Sequence, residues 1–162
     1  MENLTDTVLP GRNLERIFFK IRINAQPEKV YKSMLDKENY KKWTQPFTSN
    51  SHFEGNWEKG SKIVFLGGSE DGSFGGLIGR VKENSFAKKV TVEYFGIVEK
   101  GKEITSGDKV KMINGTIEEY TFEADGTGTN LTVSIDVDAS WKGFMLKTWP
   151  EALEELKNII EN

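Results

Sequence analysis

The feature that most limits what this chain can fold into lies at its C-terminal end. There Trp149, Ala152, Leu153, Leu156, Ile159 and Ile160 fall at i, i+3, i+4, i+7, i+10 and i+11. That spacing draws one continuous apolar stripe along an α-helix, and such a stripe is stable only when another layer covers it. Pro150 would remove a hydrogen bond from a helix interior, whereas a first turn accepts it, and Thr148 and Glu151 have the spacing of a capping box. The expectation is a main helix starting at about residue 149 or 150, with Trp141 to Lys147 as a separate helical turn ahead of it.

The covering layer must come from the preceding segments, and these read as strands. Glu15, Ile17, Phe19, Ile21 and Ile23 alternate with Arg16, Phe18, Lys20 and Arg22, a period of two with one dominant apolar face. Pro27 and Glu28 open a helix in which Val30 and Met34, and Tyr31 and Leu35, pair at i,i+4. A second short helix spans Asp36 to Trp43, and Tyr40 and Trp43, three apart, share one buried face. Strands are then expected over Phe53 to Trp57, Lys62 to Leu66, Leu77 to Glu83, Ala87 to Val98, Thr116 to Ala124 and Asn130 to Val137. Glu58 to Ser61 and Asp125 to Gly128 supply turns, Gly67 to Gly76 reads as a glycine-rich loop, and Glu99 to Asn114 as a mobile charged connector. One apolar helix stripe over one curved antiparallel sheet is a two-layer α+β solution, with two short helices after the first strand. Bulky residues on both layers, and glycines that let the sheet bend, favour a concavity between them.

Length and composition narrow the function classes. A chain of 162 residues fits one domain, here expected over residues 13–162 behind a flexible N-terminal segment, 1–12. There is no cysteine, which excludes thiol catalysis, cysteine-ligated zinc and a disulfide scaffold. The net charge of −3, with both signs interspersed, argues against nucleic acid, because phosphate binding needs a concentrated basic face. Met1 to Arg12 lacks the apolar core of a signal peptide, and no apolar run is long enough to cross a bilayer. The expected setting is therefore the cytoplasm, without membrane insertion.

Three segments resemble a known family. Ile23-Asn24-Ala25-Gln26-Pro27-Glu28-Lys29-Val30-Tyr31, running on to Tyr40 and Trp43, is similar to a strand followed by an IxAxPExVW helix start and a Y/LxxW second helix. Phe53 to Gly60 is similar to a GxWxxG hairpin, and Gly128-Thr129-Asn130-Leu131-Thr132 with Trp149 to Leu153 is similar to GTxLT and WxxxLxxLK. On these the chain resembles the START-like (SRPBCC) superfamily, and within it the single-domain bacterial type of the activator of heat-shock-protein-90 ATPase homologue-like family. The resemblance implies a helix-grip fold, a curved antiparallel sheet wrapped around the C-terminal helix. Two departures bear on the mouth of the pocket: Trp43-Thr44 stands where many relatives have a tryptophan doublet, and the Glu99 to Asn114 connector is longer than usual.

No recognisable catalytic constellation accompanies these segments. His52-Phe53-Glu54 has the HxE spacing of zinc deaminases but no cysteines to complete the metal site, and nothing resembles a nucleophile elbow, so His52 reads as a loop or pocket-rim residue. The glycines from 67 to 79 match neither phosphate-binding pattern. No cofactor or metal is expected. Strand alternation puts Glu118 on the face of Tyr120 and Phe122, leaving two placements. At the cavity, desolvation would raise its pKa; at the open end of the strand it would sit in water, the placement the sequence favours. The candidate cavity lining is Trp57, Phe65, Tyr94, Glu118, Tyr120, Phe122, Trp141, Met145 and Trp149.

Three function classes follow. The leading one is a noncatalytic module binding a small hydrophobic or amphipathic ligand. The resemblance also implies a polyketide cyclase/aromatase-like enzyme, which needs Glu118, Tyr120, Tyr94 or His52 converging on one cavity. It implies as well a cochaperone-like partner of the heat-shock-protein-90 chaperone.

Overall fold

The structure, a computed structural model, describes residues 12–68 and 72–162. Apart from Arg12, the N-terminal segment expected to be flexible lies outside these residues, as does the centre of the glycine-rich stretch. In chain order the elements are β1 (Leu14–Ile23), α1 (Pro27–Leu35), α2 (Lys37–Trp43), β2 (His52–Gly55), β3 (Lys62–Gly68), β4 (Phe74–Ser85), β5 (Lys89–Glu99), β6 (Lys102–Ile104), a 3-10 turn (Asp108–Val110), β7 (Ile117–Asp125), β8 (Gly128–Asp138) and α3 (Ala139–Glu161). The strands form one antiparallel sheet in the order β1-β8-β7-β5-β4-β3-β2, with β6 paired to β5 beside this path. This is the helix-grip, START-like α+β architecture expected from the sequence.

The sheet curves for a local reason. Pairing of β4 with β5 slips between Ile78 and Gly79 and again between Val81 and Glu83, and such bulges bend and twist a strand. Gly79 permits the close approach at the first bulge, since a Cβ there would lie 2.5 Å from Val92 Cγ1. The inner face of the curve receives α3, whose Trp149, Ala152, Leu153, Leu156 and Ile160 are all buried. They meet Ile17, Phe19 and Ile23 of β1, Leu131 and Val133 of β8, and Val30 and Met34 of α1 in one core. Each valine, leucine, isoleucine, phenylalanine or methionine side chain among these, fully buried, contributes roughly 1.5–3 kcal/mol.

Three expectations change. First, α3 is a single helix from Ala139 through Pro150 to Glu161. Asp138 caps it, accepting from the Ser140 N–H at 3.0 Å, and Pro150 lies on the exposed side. The hydrogen bond that proline forfeits belongs to the Leu146 carbonyl, and Leu146 is also exposed, so water can serve that carbonyl. Second, β3 and β4 continue through the glycines, pairing Gly67 with Gly75 and Leu66 with Gly76. The segment after α2 crosses closely here: the Gly68 N–H donates to the Ser49 carbonyl at 2.8 Å, and a Cβ on Gly67 would lie 2.0 Å from Thr48 Cγ2. Third, the Glu99 to Asn114 connector holds β6 and the 3-10 turn, anchored by the buried Val110.

Because Leu156 is wholly buried and Phe18 is 65% exposed on the outer face of β1, Leu156→Ala should cost about 2–5 kcal/mol of unfolding free energy and Phe18→Ala less than about 0.5 kcal/mol, as read by urea denaturation.

Candidate functional site

Capping places the first wall. Asp36 accepts from the Glu38 and Asn39 N–H groups at the start of α2, and the Trp43 indole N–H donates to the Met34 carbonyl at 3.0 Å, locking α2 against α1. Tyr40 and Trp43 then point into the concavity. Tyr40 meets Phe53 and Phe65 at ring distances of 5.1 and 6.0 Å, while Trp43 and Phe47 meet Trp149 of α3 at 5.9 and 5.0 Å. Between α2, β3, β4, β5, β7 and α3 these residues leave a cavity of about 190 Å³. Its walls are the rings of Tyr40, Trp43, Phe47, Phe65, Tyr94 and Trp149, together with Leu77, Met145 and the glycine backbone of β3 and β4. Gly76 belongs there because a Cβ would collide with the Phe65 carbonyl oxygen.

Among the described residues, Glu118 of β7 is the one carboxyl group on this wall. Tyr94 Oη donates to its Oε1 at 2.8 Å, and Tyr120 Oη donates to its Oε2. Burial pushes the Glu118 carboxyl above the ordinary glutamate value, and the two tyrosine hydroxyls, Tyr120 and then Tyr94, oppose that rise. Burial first, and then the charge of Glu118, holds the Tyr40, Tyr94 and Tyr120 hydroxyls well above the usual phenol range, so they remain proton donors. The arrangement can orient a polar ligand group against an otherwise apolar wall, or hold a proton at the Glu118 carboxyl.

Of the nine residues proposed from the sequence, Phe65, Tyr94, Glu118, Met145 and Trp149 border this cavity. Glu118 faces the hollow, not the water-bathed strand end that the sequence favours. Three others are buried behind the wall: Trp57 and Phe122 pack within the core, and Tyr120 acts only through its bond to Glu118. Trp141 is 57% exposed. Because α3 is continuous, its eight-residue separation from Trp149 turns Trp141 roughly 80° around the axis at 3.6 residues per turn. Sequence reasoning missed Tyr40, Trp43, Phe47 and Leu77 as wall residues. The three-residue spacing of Tyr40 and Trp43 marked a buried face but did not say which void that face borders.

His52 lies outside this cavity. With Lys41, Lys42, Gln45, Asn50 and Phe74 it lines a neighbouring polar depression of about 520 Å³, and Ser51 borders both. The His52 Nδ1 and the Asn50 carbonyl are 2.7 Å apart, and the ring rests edge-on against Phe74. Among the described residues, no group of three or more His, Asp or Glu is placed to hold a metal, and no helix is long and apolar enough to cross a membrane.

A family model whose description reads polyketide cyclase / dehydrase and lipid transport matches residues 16–158. No curated protein matches the chain in sequence. Solved structures are similar in fold. A protein of unknown function from Staphylococcus aureus superposes with a TM-score of 0.70 at 14% identity, covering 94% of this chain and 97% of that one. A protein of Mesorhizobium loti gives 0.67 at 14% identity over 91% and 97% of the two chains. An AHSA1-like protein of Aeromonas hydrophila gives 0.66 at 15% identity over 91% and 92%.

The electrostatics of Glu118 generate a pH prediction. Its folded-state pKa lies above the unfolded value, so the stability it contributes is complete below the ordinary glutamate pKa and is lost as pH rises through the raised value. Urea denaturation across this range should show wild-type stability falling relative to Glu118→Gln as pH increases. Tyr94→Phe, which removes one opposing donor, should shift the fall to higher pH.

Proposed function

Because the chain belongs to the polyketide cyclase / dehydrase and lipid transport family of the START-like (SRPBCC) superfamily, we propose that it is a binding domain that takes up a small hydrophobic or amphipathic molecule without transforming it. This treats residues 13–162 as one domain, with the ligand held between the sheet and α3. One observation carries the reading: among the described residues, six aromatic rings and one hydrogen-bonded carboxyl line a cavity that reaches the inner face of the sheet. Apolar walls with a few convergent polar groups are the general form of a small-molecule site. At about 190 Å³ the space suits a ligand of one ring or a short chain, not a diacyl lipid.

A second reading, an acid–base enzyme, is favoured by the convergence of Glu118, Tyr94 and Tyr120 on one spot. A carboxyl with a raised pKa beside two phenols is a general acid in waiting. His52, in the neighbouring depression, takes no part in this group.

Native mass measurement of protein purified from its own host should show a bound small molecule, and an environment-sensitive apolar dye should be displaced by it. Met145→Trp, which fills the cavity from α3, should weaken dye binding by about tenfold or more, a loss of about 1.4 kcal/mol, with the melting transition retained. Dye binding unchanged by Met145→Trp would locate uptake elsewhere and defeat the binding reading. Turnover of a polyketide-type substrate that disappears in Glu118→Gln would establish the enzyme instead.

A further inference from the structure

The charge balance of the cavity narrows the ligand class. None of the described residues on its wall is a lysine, arginine or histidine, and Glu118 forms no ion pair with any described residue. Lys41 and Lys42 of α2 line the neighbouring depression instead. Glu118 is half-buried, and a carboxylate partly removed from water without a counter-charge is costly, a cost that folded proteins usually resolve by pairing it. Here the pairing is partial. Each Glu118 oxygen accepts one tyrosine hydroxyl, and a carboxylate oxygen has room for a second donor. The same cavity is lined by the rings of Tyr40, Trp43, Phe47, Phe65 and Trp149, and aromatic faces attract positive charge.

The geometry points to a small organic cation as the ligand, an ammonium group on a body of one ring or a short chain, with the charge met by Glu118 and the aromatic walls. This rests on the binding reading above and names its ligand class. The cavity is close in size to the roughly 150 Å³ void that holds benzene in an apolar protein interior, so a benzyl-sized body fits. An anionic ligand would set like charges together, and a neutral one would leave the carboxylate unpaired. A cation supplies the missing partner and so removes the penalty that lifts the Glu118 pKa. The titratable groups facing Glu118 are Tyr40 of α2, Tyr94 of β5 and Tyr120 of β7, and all three stay neutral through the physiological range.

The test uses the full chain with three probes of similar size that differ in charge: benzylammonium, benzyl alcohol and benzoate. Calorimetry, with the fluorescence of the wall residues Trp43 and Trp149 as a second signal, reads the affinities. Benzylammonium should bind about tenfold or more tighter than benzyl alcohol, and benzoate weakest. Wild-type affinity for the ammonium should rise with pH as Glu118 ionises, while that for the alcohol stays flat. Glu118→Gln should erase the preference for the ammonium and leave alcohol binding in place. If that variant does not fold, the wild-type pH profile decides alone. Equal binding of ammonium and alcohol, preferred binding of benzoate, a flat ammonium profile, or a preference that survives Glu118→Gln overturns the cation assignment while leaving the cavity a binding site. Absence of benzylammonium binding overturns it as well. If benzyl alcohol and the apolar dye also fail to bind, the binding reading falls with it.

Discussion

The structure depends on the burial of one face of α3 against the concave side of the sheet. That contact joins β1, β8, α1 and α2, which all meet α3, and its Trp149, Leu153 and Leu156 belong to the one core they share. Hydrogen bonds at both ends of the helix hold it in register. At the start, Asp138 accepts from the Asn13 N–H at 2.9 Å while the Ala139 N–H donates to the Asn13 carbonyl at 3.0 Å. At the finish, Glu161 accepts from the Asn24 N–H at 2.7 Å and Lys157 donates to the Arg22 carbonyl at 2.8 Å. Both ends of α3 are thus tied to the two ends of β1, which fixes the angle at which Trp149 and Met145 face the sheet.

That docking also produces the cavity. At its C-terminal half α3 packs flush, and Leu153, Leu156 and Ile160 leave no exposed surface of consequence. Toward its N-terminal half, Met145 and Trp149 of the helix face the cavity, whose opposite wall includes Gly67, Gly75 and Gly76 of β3 and β4. Aromatic rings from α2 and from the segment after it close the gap only in part. Glu118 faces that space because strand alternation from the buried Tyr120 and Phe122 leaves it no other side.

Much of the fold was legible in the chain, for identifiable reasons. The Ile17, Phe19, Ile23 alternation, the Pro27 helix start and the Gly126 turn each depend on neighbours within a few residues. Errors came where distant contacts overrode local preference. Pro150 reads as a helix start, yet the Asp138 cap and the packing of Met145 extend α3 through it. Gly67, Gly75 and Gly76 read as loop, yet strand pairing under the Thr48 segment holds them extended. In the candidate site, Phe65, Tyr94, Met145 and Trp149 were recognisable as aromatic or soft residues on inward faces, whereas Tyr40 and Phe47 enter only through the path of α2 and the chain beyond it.

The sequence by itself determined the period and order of the elements, the single long apolar helix stripe, and the absence of thiol and cysteine-metal chemistry, because these are properties of composition and near-neighbour spacing. Which inward residues border empty space and which are packed solid was decided only in three dimensions. Trp57 and Phe122 have the same character as Phe65 and Trp149, and only the curvature of the sheet and the rotation of α3 separate core from wall. The state of Glu118 was settled the same way, since its desolvation comes from elements far from it in the chain and its two hydroxyl donors from two different strands.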